Sequence, residues 1–124
     1  MTVLTCAAEP AALREALRNL AVASEGKSRR TWAVVGELPG ASREELMDLG
    51  RFLVRLDISW LLVVGDDAGP VHAGAVLEGS WGDESRHVPT AEAALTVLRP
   101  DLSDHDVVLV DGVPEVLTAL GGAA

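Results

Sequence analysis

Gly65, Asp66 and Asp67 follow a near-continuous apolar run from Ile58 to Val64. At the end of a buried strand, two adjacent carboxylates could hold a divalent cation or move a proton. Their plainer role is a turn whose acids favour the start of the next helix. Gly26-Lys27-Ser28 carries the ending of a phosphate-binding loop. That loop needs a glycine where Ala21 stands, a strand before it and a helix after it. Here the order is helix then strand, which leaves a polar turn. His72, His87 and His105 are the histidines, and no two have the spacing of a helical metal site. Cys6, the single cysteine, has no neighbouring basic residue to draw off its proton, so it reads as a small apolar residue. No Ser–His–Asp or Cys–His set can be assembled. A phospho-receiver site also fails, because Leu4-Thr5-Cys6-Ala7 has no acids and Asp111 stands where a lysine is required.

Composition narrows the partners. The chain has 124 residues and a formal net charge of −9, which disfavours nucleic acid and anionic membrane surfaces. Lys27, Arg29 and Arg30 are too short a basic cluster to change that. One cysteine excludes an internal disulfide. The first residues lack the pattern of a secretory signal, and no run approaches the ~20 apolar residues of a membrane span. These features fit a cytoplasmic protein, with residues 1–124 forming a single domain. Trp32 and Trp60 fall in apolar runs and read as core. Trp81, in Gly79-Ser80-Trp81-Gly82, is the candidate contact for a protein partner or for self-association.

Alternating periodicities supply the scaffold. Strands are expected at Val3–Cys6, Thr31–Val35, Ile58–Val64, Ser85–Val88 and Val107–Val110. Between them lie a helix from Pro10 with Leu13, Leu17 and Leu20, ended by Gly26, and a second helix opened by a Ser42/Glu45 capping box. The second helix carries a stripe of Leu46, Leu49, Leu53 and Leu56. A short helix spans about Pro70–Leu77, and another is capped by Thr90 and stopped by Pro100. Pro114 opens a last helix bearing Val116, Leu117 and Leu120. Such alternation implies a Rossmann-like three-layer α/β sandwich, with a mostly parallel sheet of five to six strands covered on both faces. Ligands in such sheets favour the crevice beyond the carboxyl ends of the strands. Gly36, Glu37, Gly65, Asp66, Asp67, Asp111 and Gly112 are therefore the candidate crevice residues, with no catalytic or metal-binding residue assigned.

Several blocks resemble the C-terminal domain of the Mur ligase family, closest to its UDP-N-acetylmuramoyl-tripeptide–D-alanyl-D-alanine ligases. They are Arg29 to Leu38 (Arg-Arg-Thr-Trp-Ala-Val-Val-Gly-Glu-Leu), Gly50 to Ile58, Val63-Val64-Gly65, His72 to Ala75, Leu77 to Ser85 and Asp106 to Val110. The resemblance implies the same fold and an ATP- and magnesium-dependent ligase of peptidoglycan precursors. It also implies that the phosphate-binding loop and most magnesium ligands belong to a central domain not contained in this chain. The chain departs from the family at one edge. Where the family has Asp-x-Tyr-Asn-Ala-Asn-Pro, this sequence has Leu4-Thr5-Cys6-Ala7-Ala8-Glu9-Pro10. The turn after Gly36-Glu37 is shortened to Pro39-Gly40, and Leu46 takes the place of a family histidine. The last strand, expected to run into Lys-Gly-Ser-Arg, runs into Asp111-Gly112-Val113-Pro114. The expectation is a non-catalytic accessory or binding module that needs no cofactor when isolated. The alternatives are one domain of a working ligase, or a repurposed small-molecule binder.

Overall fold

The protein is described from a computed structural model covering residues 1–24, 29–78 and 83–121. The Gly26-Lys27-Ser28 turn, the Trp81 contact and Gly122 lie outside these residues. Five strands form one sheet: β1 (Thr2–Thr5), β2 (Thr31–Val35), β3 (Trp60–Val64), β4 (Ser85–Val88) and β5 (Val107–Asp111). Every pairing is parallel, and the order is β1-β5-β2-β3-β4. The three apolar runs β5, β2 and β3 therefore lie side by side at the centre, where both faces need cover.

Alternation along the strands divides the core in two. Ala33, Val35, Leu61, Val63, Val107 and Leu109 point to one face, beneath α1 (Pro10–Ser24), α2 (Arg43–Arg55) and α3 (Gly69–Glu78). Trp32, Val34, Leu62, Val64, Val108 and Val110 point to the other, beneath α4 (Ala91–Asp101) and α5 (Pro114–Ala119). Right-handed crossovers explain this split. The chain steps from β1 through β4 in one direction, which puts α1, α2 and α3 on one side. It then returns through α4 to insert β5 between β1 and β2.

Leucine spacing builds the first face. Leu13, Leu17 and Leu20 of α1, with Leu49 and Leu53 of α2, are fully buried. Ser42 accepts from the Glu45 N–H, and Glu45 accepts from the Ser42 N–H, so the capping box starts α2 as its sequence requires. Between α2 and α3 the backbones nearly touch. A Cβ at Gly74 would lie 2.0 Å from the Met47 carbonyl, and one at Gly50 would lie 2.0 Å from the Val71 carbonyl.

Some boundaries differ from the sequence expectation. β3 begins at Trp60 rather than Ile58, because Asp57 takes a left-handed conformation (φ 59°) and Ser59 exchanges hydrogen bonds with Thr31. Ile58 is nevertheless buried. Leu56 is the C-cap of α2, one residue past its end, and still packs against the core that the stripe faces. α3 starts at Gly69, preceded by a 3₁₀ turn over Asp66–Ala68. Pro100 lies inside α4, which ends one residue later at Asp101. In a final turn the missing N–H removes only one bond, so proline ends the helix without breaking it earlier. Trp60 is half-buried and stacks on Trp32, with ring centroids 5.6 Å apart.

Candidate functional site

β5 leaves the sheet towards the α4–α5 face, whereas its neighbours β1 and β2 leave towards the other. Such divergence opens clefts at the carboxyl edge. One cleft, of about 270 Å³, is lined by Glu37, Gly65, Thr90, Gly112, Pro114 and Glu115 among others. Gly36 and Gly112 shape its floor. A Cβ on Gly36 would fall 2.3 Å from the Gly112 carbonyl, and Gly112 itself has φ +76°. Only glycine meets both demands at that crossing. Glu37 lies over Gly65, its Oε1 3.6 Å from where a Gly65 Cβ would stand.

A second cavity, of about 210 Å³, lies beside the first and shares Gly112, Val113 and Pro114. Thr5, Cys6, Ala8, Asp111 and Leu117 complete much of its lining. Asp111 is 1% exposed, and neither carboxyl oxygen has a hydrogen-bond partner. Burial pushes this carboxyl up to about 6. The Cys6 thiol and the Gly112 N–H are near enough to favour the carboxylate in part, without reaching hydrogen-bond geometry. Burial first, and then the Asp111 charge, push the Cys6 thiol up to about 12. A thiol held that high is not a nucleophile.

The seven candidate residues thus separate. Glu37, Gly65 and Gly112 line the larger cleft with Gly36 beneath, Asp111 lines the smaller one, and exposed Asp66 and Asp67 line neither. Among the described residues, no group of three His, Cys, Asp or Glu is placed to hold a metal ion.

Two clusters were not visible in the sequence. His72 Nδ1 lies 2.6 Å from Ser85 Oγ, and His87 Nε2 donates to the Gly65 carbonyl at 2.7 Å. Burial, and then the neighbouring His87, lower the His72 value. At the opposite edge, Asp106 is 2% exposed and accepts from Arg30 (2.8 and 3.1 Å), Trp32 Nε1 (2.9 Å) and both the N–H and hydroxyl of Ser103. Burial pushes the Asp106 carboxyl up, but these hydrogen bonds outweigh it and hold it below its usual value. A third cavity, of about 130 Å³, adjoins this network at Trp32, Trp60 and Arg86, away from the strand ends that diverge.

Residues 1–113 match the family model described as Mur ligase, glutamate ligase domain. The chain belongs to that family. It is 39% identical over 118 residues to the UDP-N-acetylmuramoyl-tripeptide–D-alanyl-D-alanine ligase of Mycobacterium leprae, covering 83% of this chain and 23% of the relative. The enzyme of the same name from Mycobacterium tuberculosis is 38% identical over 121 residues, covering 83% and 24%. The crystal structure of MurF from Acinetobacter baumannii superposes with a TM-score of 0.73 at 24% identity, over 95% of this chain and 26% of that one. This Mur ligase domain thus spans about a quarter of the length of these relatives. Among the described residues, no helix is long and apolar enough to cross a membrane.

The family implies ATP and magnesium. The charged side chains that line the two clefts at the carboxyl edge are Glu37, Asp111 and Glu115, and no Lys or Arg lines either; Arg43, in the first turn of α2, stands at the same edge outside them. Thr90 is occupied as the cap of α4, accepting from the Ala93 N–H. A polyphosphate needs clustered cations and free backbone donors. The residues lining the two clefts supply no such cations, and to that extent they do not fit it.

Proposed function

We propose that this Mur ligase domain is a binding or accessory module that performs no ligation by itself. The observation that carries the reading is Asp111, a buried carboxyl without partners on the strand end that faces the crevice. Negative charge there opposes an anionic substrate or nucleotide, and no Lys or Arg lines the cavity beside it. Titration calorimetry with Mg-ATP, paired with a phosphate-release assay, tests the proposal. Binding is expected to be weak or absent, with no protein-dependent phosphate release. Saturable binding at micromolar ATP would overturn it, as would phosphate release that is lost when Glu37 or Asp111 is replaced.

A second reading is that the domain serves a D-alanyl-D-alanine-adding ligase of peptidoglycan precursor synthesis, with the nucleotide held by other domains. The identity of 39% over 118 residues to the Mycobacterium leprae enzyme supports it. Replacing the corresponding domain of that enzyme with this chain discriminates the two. Recovered ligation would favour the second reading, and a folded but inactive chimera the first.

A further inference from the structure

We propose that Asp111 forms the polar end of a subsite for a small primary ammonium group carried on a short apolar chain. The proposal rests on the carboxyl edge being a ligand-facing crevice, and it holds whether or not the domain serves a ligase.

A buried carboxylate without partners is costly, and native structures normally supply one. Asp111 has neither a protein donor in hydrogen-bond geometry nor a basic neighbour. Beside it lies the cavity of about 210 Å³, walled by Ala8, Val113, Pro114 and Leu117, with Thr5 and Cys6 as its polar side chains besides Asp111. Apolar walls with one acidic end match a ligand with a hydrocarbon body and a cationic head. Anions are excluded by charge. A metal ion is disfavoured because, among the described residues, no third His, Cys, Asp or Glu joins Asp111 and Cys6. Water could satisfy the carboxyl but would gain nothing from the apolar walls.

Access is local. The carboxyl oxygens have almost no accessible surface, so a ligand reaches them only when part of the cavity lining moves. Two lining residues, Cys6 and Ala8, follow Thr5, the last residue of edge strand β1, which pairs with β5 on one side. A segment leaving a strand held on one side opens at low cost.

The test is an amide NMR titration of the whole chain with n-butylammonium chloride at constant ionic strength, near pH 7.5. n-Butanol, sodium butyrate and guanidinium chloride serve as matched probes. Saturable shifts confined to residues 5–8 and 110–117 are expected. Affinity should be about tenfold or more above that for butanol, as for one charge-assisted hydrogen bond. Asp111→Asn should abolish that preference, and so should Ala8→Leu, which fills the cavity without touching the carboxyl. Binding should weaken as pH falls through about 6, where the carboxyl takes up its proton. Equal response to butanol and butylammonium, unchanged binding in either folded variant, tighter binding of guanidinium, or non-saturating shifts across the acidic surface would each overturn the proposal. ATP titration fails or succeeds separately, so the two ideas are distinguishable.

Discussion

Asp111→Asn isolates the cost of the buried carboxylate. Burial lifts its value from 3.8 to about 6, so the native state holds the proton more tightly than the unfolded chain does. Stability from this group is fully present below the unfolded value and is lost as pH rises through about 6. A shift of roughly two units corresponds to about 3 kcal/mol. Asparagine leaves a buried amide that costs about 1–3 kcal/mol itself, but that cost does not vary with pH. The difference in unfolding free energy between the two proteins should therefore move by roughly 2 kcal/mol from about pH 4 to about pH 7.5, in favour of the variant. Other acids contribute equally to both proteins and cancel. Urea unfolding followed by tryptophan fluorescence, at several pH values, measures the difference. Parallel stability curves would refute the reasoning, because they would mean that the Asp111 carboxyl is as well solvated in the fold as in the unfolded chain.

Four further outcomes are expected. Cys6, with its thiol pushed up to about 12, should react with iodoacetamide near pH 8 at least ~100-fold more slowly than in the urea-unfolded chain; equal rates would count against its burial beside Asp111. Leu53→Ala should cost about 2–5 kcal/mol, whereas Arg51→Ala, which loses only an exposed pair with Asp48, should cost under ~0.5 kcal/mol; similar urea midpoints would mean that α2 presents another face. Asp106→Ala should cost about 3 kcal/mol near neutral pH by stranding the Trp32 and Ser103 donors. Because the Asp106 value is lowered, that advantage should be lost as pH falls below 3.8 through the folded value, and a pH-independent penalty would argue against it. Gly74→Ala should cost about 1–3 kcal/mol, since its methyl would meet the Met47 carbonyl; an unchanged thermal midpoint would show that α2 and α3 can part freely.

Much of the scaffold was legible because each element carries a local signal. The apolar runs of β2, β3 and β5, the Ser42/Glu45 pair and the leucine spacing of α1 and α2 each depend on residues close in sequence. Strand order was not legible, because nothing local in Val107–Asp111 says that it inserts between β1 and β2. Site legibility followed the same division. That Glu37, Gly65, Gly112 and Asp111 stand at the ends of strands could be read directly, and the cavities that they line place them there. Their separation into two clefts depends on how β5 diverges from its neighbours, and Asp66 and Asp67 are lost to the exposed 3₁₀ turn between β3 and α3. The Asp106 network joins residues up to 76 positions apart, which no spacing rule reaches. Its one sequence signal is an acid abutting a fully apolar run. Glycine by itself weakens a helix, and only the meeting of two helices explains Gly50 and Gly74.

The late arrival of β5 has a consequence for synthesis. β1 bonds to no other strand, and one side of β2 stays open until residues 107–111 exist. A growing chain must therefore hold two apolar strand edges unpaired while α2, β3, α3, β4 and α4 are made. Long-range parallel closure is slow and leaves edges exposed to other chains. Any shortened product ending before Val107 would lack the middle of its sheet rather than its rim, and would aggregate instead of persisting as a smaller folded unit. Closure of this sheet thus depends on residues 107–111 being made.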